Sequence, residues 1–101
     1  MRYALLALFA LTSANLYAAD GDAKAGESQA AVCMACHGPQ GNSTNPDWPK
    51  LAGQHAQYIA KQLMAFKAGT RSDPLMSSQA AQLSDQDMLN VAAYFAAQTP
   101  K

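Results

Sequence analysis

Five consecutive residues concentrate the reactive groups of this chain: Cys33-Met34-Ala35-Cys36-His37. Two thiols and an imidazole at the spacing C-x-x-C-H form the pattern of covalent haem attachment. The logic is geometric. On one turn of helix both thiols can meet the two vinyl edges of a haem and form thioethers, and His37 is then held beneath the iron as the proximal ligand. Neutral imidazole is a common metal ligand, and attachment fixes its approach. Two other chemistries use the same cysteines. A thioredoxin-like redox pair belongs beside a strand–helix–strand unit, and no strand pattern is present. A structural disulfide across four residues would close a very short ring and stabilise little. Neither needs a histidine directly after the second cysteine.

Haem iron usually takes a second axial ligand. The candidates are Met34, Met64, Met76, Met88 and His55. Met34 lies between the thiols and cannot reach the opposite face. Met64 shares a helix with Leu63 and Phe66 and reads as core. Met88 falls at helical spacing with Val91, Ala92 and Phe95 and also reads as core. Met76 sits in an irregular stretch, Ser72 to Ser78, and a loop can carry a side chain to the far side of a planar cofactor. Met76 is therefore the expected ligand. His55 is its rival, and reads otherwise as a surface or helix-start histidine.

The beginning of the chain reads differently from the rest. Arg2 supplies a positive start, Tyr3 to Ala14 is uncharged and apolar, and Leu16-Tyr17-Ala18 offers a cleavage point. This is the layout of a secretory signal. A membrane-spanning helix needs about 20 apolar residues, more than this run holds. The expectation is a cleaved signal over residues 1–18, with cleavage after Ala18 or, second, Ala19, and a working domain over 19–101 in the periplasm. A domain of that size is marginal by itself and calls for a staple such as a disulfide, metal or cofactor. Without Arg2, six lysines and arginines face seven aspartates and glutamates. No basic face for nucleic acid and no polybasic tract for anionic lipid results, and no stable membrane insertion is expected after cleavage.

The elements that must position these residues are all helices and loops. A first helix is expected from about Asp22 to Ala35. Gly26 weakens it by about 1 kcal/mol relative to Ala, unless another helix crosses there. Gly38 to Pro49 is rich in Gly, Pro, Asn and Ser and reads as a loop. A second helix from about His55 to Ala68 places Tyr58, Ile59, Leu63 and Phe66 on one face, with Gly69 as C-cap. A second loop, Thr70 to Leu83, holds Met76, with a short helical turn in Ser78 to Leu83. The last helix begins at Ser84, a good N-cap, with Asp85 and Asp87 in its first turn. Its buried stripe is Met88, Val91, Ala92 and Phe95, with Tyr94 on the flank and Pro100 near its end.

These pieces together resemble the small bacterial class I c-type cytochromes, and the haem domains of the dihaem kind. The resemblance covers about Asp22 to Gln98. It rests on Gly26, Cys33-Met34-Ala35-Cys36-His37-Gly38, Pro49-Lys50-Leu51-Ala52-Gly53-Gln54, Tyr58 with Gln62-Leu63, Gly69-Thr70-Arg71, Met76, and Leu83-Ser84-Asp85-Gln86-Asp87 leading to Ala93-Tyr94-Phe95. It implies an all-α cytochrome c fold, with three main helices and loops wrapped around one covalently bound haem c. Cys33 and Cys36 would carry the haem, and His37 and Met76 would be its axial ligands. Pro49 would offer its carbonyl to the proximal histidine. Gly26 would be the crossing point of the first and last helices, near Tyr94 or Phe95. Trp48 would line the haem pocket or the core.

The function expected is single-electron transfer through Fe(III)/Fe(II) exchange, with methionine ligation raising the potential. The protein would be an electron carrier and not an enzyme, docking periplasmic or membrane redox proteins briefly through a small surface. It would work as a free carrier or as a subunit of a larger redox complex. A peroxidase or small-ligand sensor would need Met76 off the iron. A thiol–disulfide protein would need both thiols free.

Overall fold

Asp22 begins the first helix, because its carboxylate accepts from the amides of Lys24 and Ala25 at 2.9 and 3.3 Å. In this computed structural model, which describes Ala4 and residues 21–101, that helix is α1, Ala23–His37. The expected secretory segment, residues 1–18, lies outside the described residues apart from Ala4. A 3-10 turn follows at Pro39–Gly41. Then come α2, Ala56–Ala68, α3, Pro74–Ala81, and α4, Asp85–Ala96. There is no strand among the described residues, as the all-α expectation requires.

The attachment pentad is part of α1 throughout. The helix runs two residues past the expected end at Ala35 and stops at Gly38, whose φ of 81° lets its N–H turn back to the Met34 carbonyl. Such C-terminal glycines satisfy a carbonyl that the helix leaves open. Gly69, left-handed at φ 83°, ends α2 as expected. Ser84 begins α4 with a full capping box. Its hydroxyl accepts from the Asp87 amide and Asp87 accepts from the Ser84 amide, both at 3.0 Å.

The stretch holding Met76 is more ordered than expected. Asp73 caps α3 by accepting from the Leu75 and Met76 amides, each at 2.9 Å. Pro74 occupies the first helical position, where its missing N–H costs nothing. The helix covers Pro74–Ala81, so Met76 stands in its first turn and not in an irregular loop.

Helix α1 packs mainly on α4, α4 on α2, and α2 on α3. Gly26 is the crossing point of the first pair, since a Cβ there would overlap the Asn90 carbonyl. The partner at the crossing is Asn90–Val91, one turn before Tyr94, while the Phe95 ring lies against Gly41. Asn90 is buried, and its Oδ1 accepts from the Asp22 amide at 2.8 Å and from Gln86 Nε2 at 2.9 Å. The crossing and the start of α1 are thus tied to one side chain.

The core is the α4 stripe Met88, Val91, Ala92 and Phe95 against Ile59, Leu63 and Phe66 of α2 and Ala30 of α1. Two expectations for α2 fail. Met64 is 39 % exposed and Tyr58 50 % exposed. The buried positions Ile59, Ala60, Leu63 and Phe66 already form the inward stripe, and each residue turns about 100° from the last. Met64 and Tyr58 fall beside that stripe.

Candidate functional site

Three of the expected site residues share the last turn of α1. Cys33 and Cys36 stand three apart, and His37 four beyond Cys33, so all three fall on adjoining parts of one helix face. Cys33 is partly buried against the core and Cys36 is exposed, and neither is in a disulfide. Burial pushes the Cys33 thiol above its ordinary pKa. A backbone hydrogen bond offsets part of that rise, and the neighbouring Cys36 adds to it. A redox-active pair depends on a thiol with a lowered pKa, so this environment disfavours thiol–disulfide chemistry.

His37 is buried, at 8 % exposure. Its Nδ1 lies 2.7 Å from the Pro49 carbonyl oxygen. A carbonyl only accepts, so Nδ1 is the donor, and in the neutral tautomer the lone pair is on Nε2. No described residue takes a hydrogen bond with Nε2. Such an outer bond fixes the tautomer and ring orientation of a metal-binding histidine and raises its basicity.

The loop that delivers Pro49 is closed by backbone bonds. The Gly41 amide donates to the Gly38 carbonyl at 2.9 Å. The Gly41 carbonyl in turn accepts from Leu51 at 2.8 Å and Ala52 at 3.1 Å, so the residues that follow Pro49-Lys50 are pinned beside the residues that follow His37. Gly41 has no room for a side chain. A Cβ there would stand 2.7 Å from the Phe95 ring and 2.9 Å from the Ala52 amide, and its φ is 82°. Trp48, 37 % exposed, lies on this loop with its amide bonded to the Asn45 carbonyl. Its surface position makes it no part of the buried core.

Met76 comes from a different element. Its side chain is half-buried and packs against the same core cluster as Cys33. Met34 also packs there, and its sulfur accepts from the Gln40 amide at 3.4 Å, which commits it to the His37 side. Met88 is fully buried. His55 is exposed at the start of α2 and lines an alanine-rich groove with Gly21, Ala93 and Ala96 that no residue of the pentad lines. The donors expected for the site, Cys33, Cys36, His37 and Met76, are two thiols, one imidazole oriented through Nδ1 and one thioether, all soft or borderline ligands suited to haem iron and its vinyl groups. The residues present therefore fit a covalently bound haem. No group of three or more His, Cys, Asp or Glu able to hold a separate metal ion occurs among the described residues.

Sequence reasoning misses three contributors. Gly41 and Asn42 read only as part of a Gly- and Asn-rich loop, and the contacts of Gly41 with Phe95 and of Asn42 with Thr99 and Lys101 span more than 50 residues. The Asp73 cap of α3 does leave a local signal, an aspartate directly before a proline.

Comparison with known proteins gives the same picture. The cytochrome c family model matches residues 23–98. A cytochrome c4 of Thiocapsa roseopersicina is 58 % identical over 79 residues, 77 % of this chain and 41 % of that protein. A thiosulfate dehydrogenase electron acceptor of Stutzerimonas stutzeri is 49 % identical over 67 residues, 63 % of this chain and 31 % of that protein. The crystal structure of reduced recombinant cytochrome c4 from Pseudomonas stutzeri superimposes with a TM-score of 0.76 at 46 % identity, covering 80 % of this chain and 47 % of that one. The chain spans less than half the length of the cytochrome c4 relatives it matches.

Proposed function

The chain belongs to the cytochrome c family, and from that premise we propose that it is a single-electron carrier with one covalently attached haem c. Cys33 and Cys36 would hold the haem in this reading, and His37 and Met76 would bind its iron. The observation that carries the reading is the 2.7 Å bond from His37 Nδ1 to the Pro49 carbonyl, directly after two unpaired thiols on one helix face. That bond leaves Nε2 as a lone-pair donor held in one orientation.

When bound, the haem supplies reversible one-electron Fe(III)/Fe(II) exchange, with a potential raised by methionine ligation. The chain's own residues do the rest. The thioethers of Cys33 and Cys36 hold the group against α1. The Pro49 carbonyl keeps the His37 ring from rotating between oxidation states. Met76 would offer its thioether to the haem iron and so disfavour ligand binding and oxygen chemistry there. Little rearrangement on electron exchange is the property a carrier needs.

Export belongs to the same proposal. Residues 1–18 act as a cleaved signal, and residues 19–101 work in the periplasm, where thioether attachment and redox traffic occur. No described helix is long and apolar enough to cross a membrane. Partners are periplasmic or membrane redox proteins met transiently. The relative named as an electron acceptor for thiosulfate dehydrogenase supports a carrier fed by an enzyme, with permanent membership of a larger complex as the alternative. Co-purification separates the two.

The test is the intact mass and thiol count of the protein exported from cells able to attach haem. Expected are one haem per chain, retained under denaturing and reducing conditions, and no titratable thiol. Two reactive thiols and no haem would overturn the proposal.

A further inference from the structure

The last three residues of the chain are folded back onto the loop that delivers Pro49. The carboxamide of Asn42 grips them at two points. Its Nδ2 donates to the Thr99 carbonyl at 3.2 Å and its Oδ1 accepts from the Lys101 amide at 2.8 Å. Between these two residues, the ring of Pro100 fills the space left at Gly53, where a Cβ would stand 2.6 Å from the Pro100 Cγ. Lys50 donates to the Lys101 carbonyl. The tail thus touches the loop at Asn42, Lys50 and Gly53, on both sides of Pro49.

Helix α4 holds the same loop from beneath. The Phe95 ring lies against Gly41, and the Phe95 carbonyl accepts from the Gly53 amide at 3.0 Å. Gly41 in turn holds Leu51 and Ala52. The Pro49 carbonyl therefore sits in a segment clamped by backbone bonds on one side and by the tail on the other. A proline has no N–H with which to anchor itself, so its position depends on these neighbours.

We propose that Asn42 is a positioning residue for His37, acting through the clasped tail to hold the Pro49 carbonyl at hydrogen-bonding distance from Nδ1. The inference rests on the reading of His37 as an axial ligand. A firm bond from Nδ1 to a carbonyl makes the imidazole a stronger donor, which favours the ferric state. Loosening the clasp weakens that bond and raises the reduction potential. The two bonds made by Asn42 join groups 57 and 59 positions apart. Net hydrogen bonds of this kind contribute about 1 kcal/mol each.

The experiment uses the haem-loaded protein and two readouts, the reduction potential and the solvent exchange of the His37 Nδ1 proton by NMR. In Asn42→Ala the exchange is expected to rise by up to about thirtyfold, the factor that removal of both Asn42 hydrogen bonds represents, and the potential to move upward. Deletion of residues 99–101 should move both readouts in the same direction. Combining the two changes should add little, because both remove the same contact. Asn45→Ala is the control. Its side chain accepts only from the Asp47 amide within the loop, and both readouts should stay at the wild-type values. Wild-type exchange and potential in Asn42→Ala would overturn the role of Asn42 while leaving the haem reading intact. If Asn42→Ala yields no holoprotein, unchanged readouts in the tail deletion would overturn it instead. Absence of a haem-bound His37 in the wild type would remove the underlying reading, and with it this one.

Discussion

The two residues proposed to face the iron are supported in opposite ways. His37 is buried at the end of a 15-residue helix, bonded to Pro49, and backed by a loop whose ends meet at the Gly41 carbonyl. Met76 stands in the first turn of an eight-residue helix in which only Ala80 is fully buried, and its neighbour Leu75 is 58 % exposed. The first side is over-determined by backbone contacts that span the chain. The second relies on one N-cap and on packing against α2. Regions with few buried apolar contacts open at lower free energy than those at the core. The histidine side should thus be the fixed half of the site, and the methionine side the half that yields first.

The largest effect should come from attacking the fixed half. Gly41→Ala places a Cβ against the Phe95 ring and the Ala52 amide at a φ of 82°. We expect a loss of about 2–3 kcal/mol in stability, read by chemical denaturation of the holoprotein, together with a disturbed His37 resonance. A near-neutral result would show that the loop is softer than its contacts indicate.

Met76→Ala should leave a folded protein with haem attached, but with a lower potential and an axial position open to added imidazole. Ligand titration checks this. Equal damage to folding from Met76→Ala and Gly41→Ala would erase the contrast between the halves.

Asp73→Ala removes the cap of α3 and should cost about 1 kcal/mol. More telling is its effect on the order of unfolding. The Met76 thioether should leave the iron at a lower denaturant concentration than that at which the other helices melt, seen by comparing a ligand-sensitive band with far-UV circular dichroism. Ser84→Ala costs a similar amount at α4, and there the two probes should still coincide.

The smallest effect concerns pH. Hydrogen bonds from the Ser84 amide and then from its hydroxyl hold the Asp87 carboxyl below its ordinary pKa, aided by Gln29 and Lys67. A carboxylate with a depressed folded-state pKa contributes stability above its unfolded value. That contribution disappears as pH falls through the folded one. The acid end of the stability profile should therefore flatten slightly in Asp87→Asn, measured by unfolding below the usual carboxylate range, with no change in the haem spectrum.

Much of this contrast can be traced in the sequence, unevenly. The pentad names its own chemistry, and the Ser84–Asp87 capping box and the α4 stripe follow from short-range rules. Gly26 is legible because a glycine inside a helix weakens it unless another backbone crosses there. The bond between His37 and Pro49 is legible only through family resemblance, since no local rule links residues 12 apart across a loop. Helix α3 is hidden because Pro74-Leu75-Met76-Ser77-Ser78 shows no amphipathic pattern, although Asp73-Pro74 is a fair start signal. Met64 and Tyr58 look like core because they are large and adjacent to buried positions, and the rotation of the helix decides otherwise. Gly41 and Asn42 depend on Phe95, Thr99 and Lys101, which only the folded chain brings near.

The most direct test is the visible absorption spectrum of the exported protein, oxidised and reduced, with attention to the weak far-red band of a methionine–iron bond. The account predicts bands of a thioether-linked haem and a far-red band that disappears in Met76→Ala and persists in His55→Ala. A haem spectrum without that band, or a band unaffected by Met76→Ala, would contradict the His37/Met76 assignment.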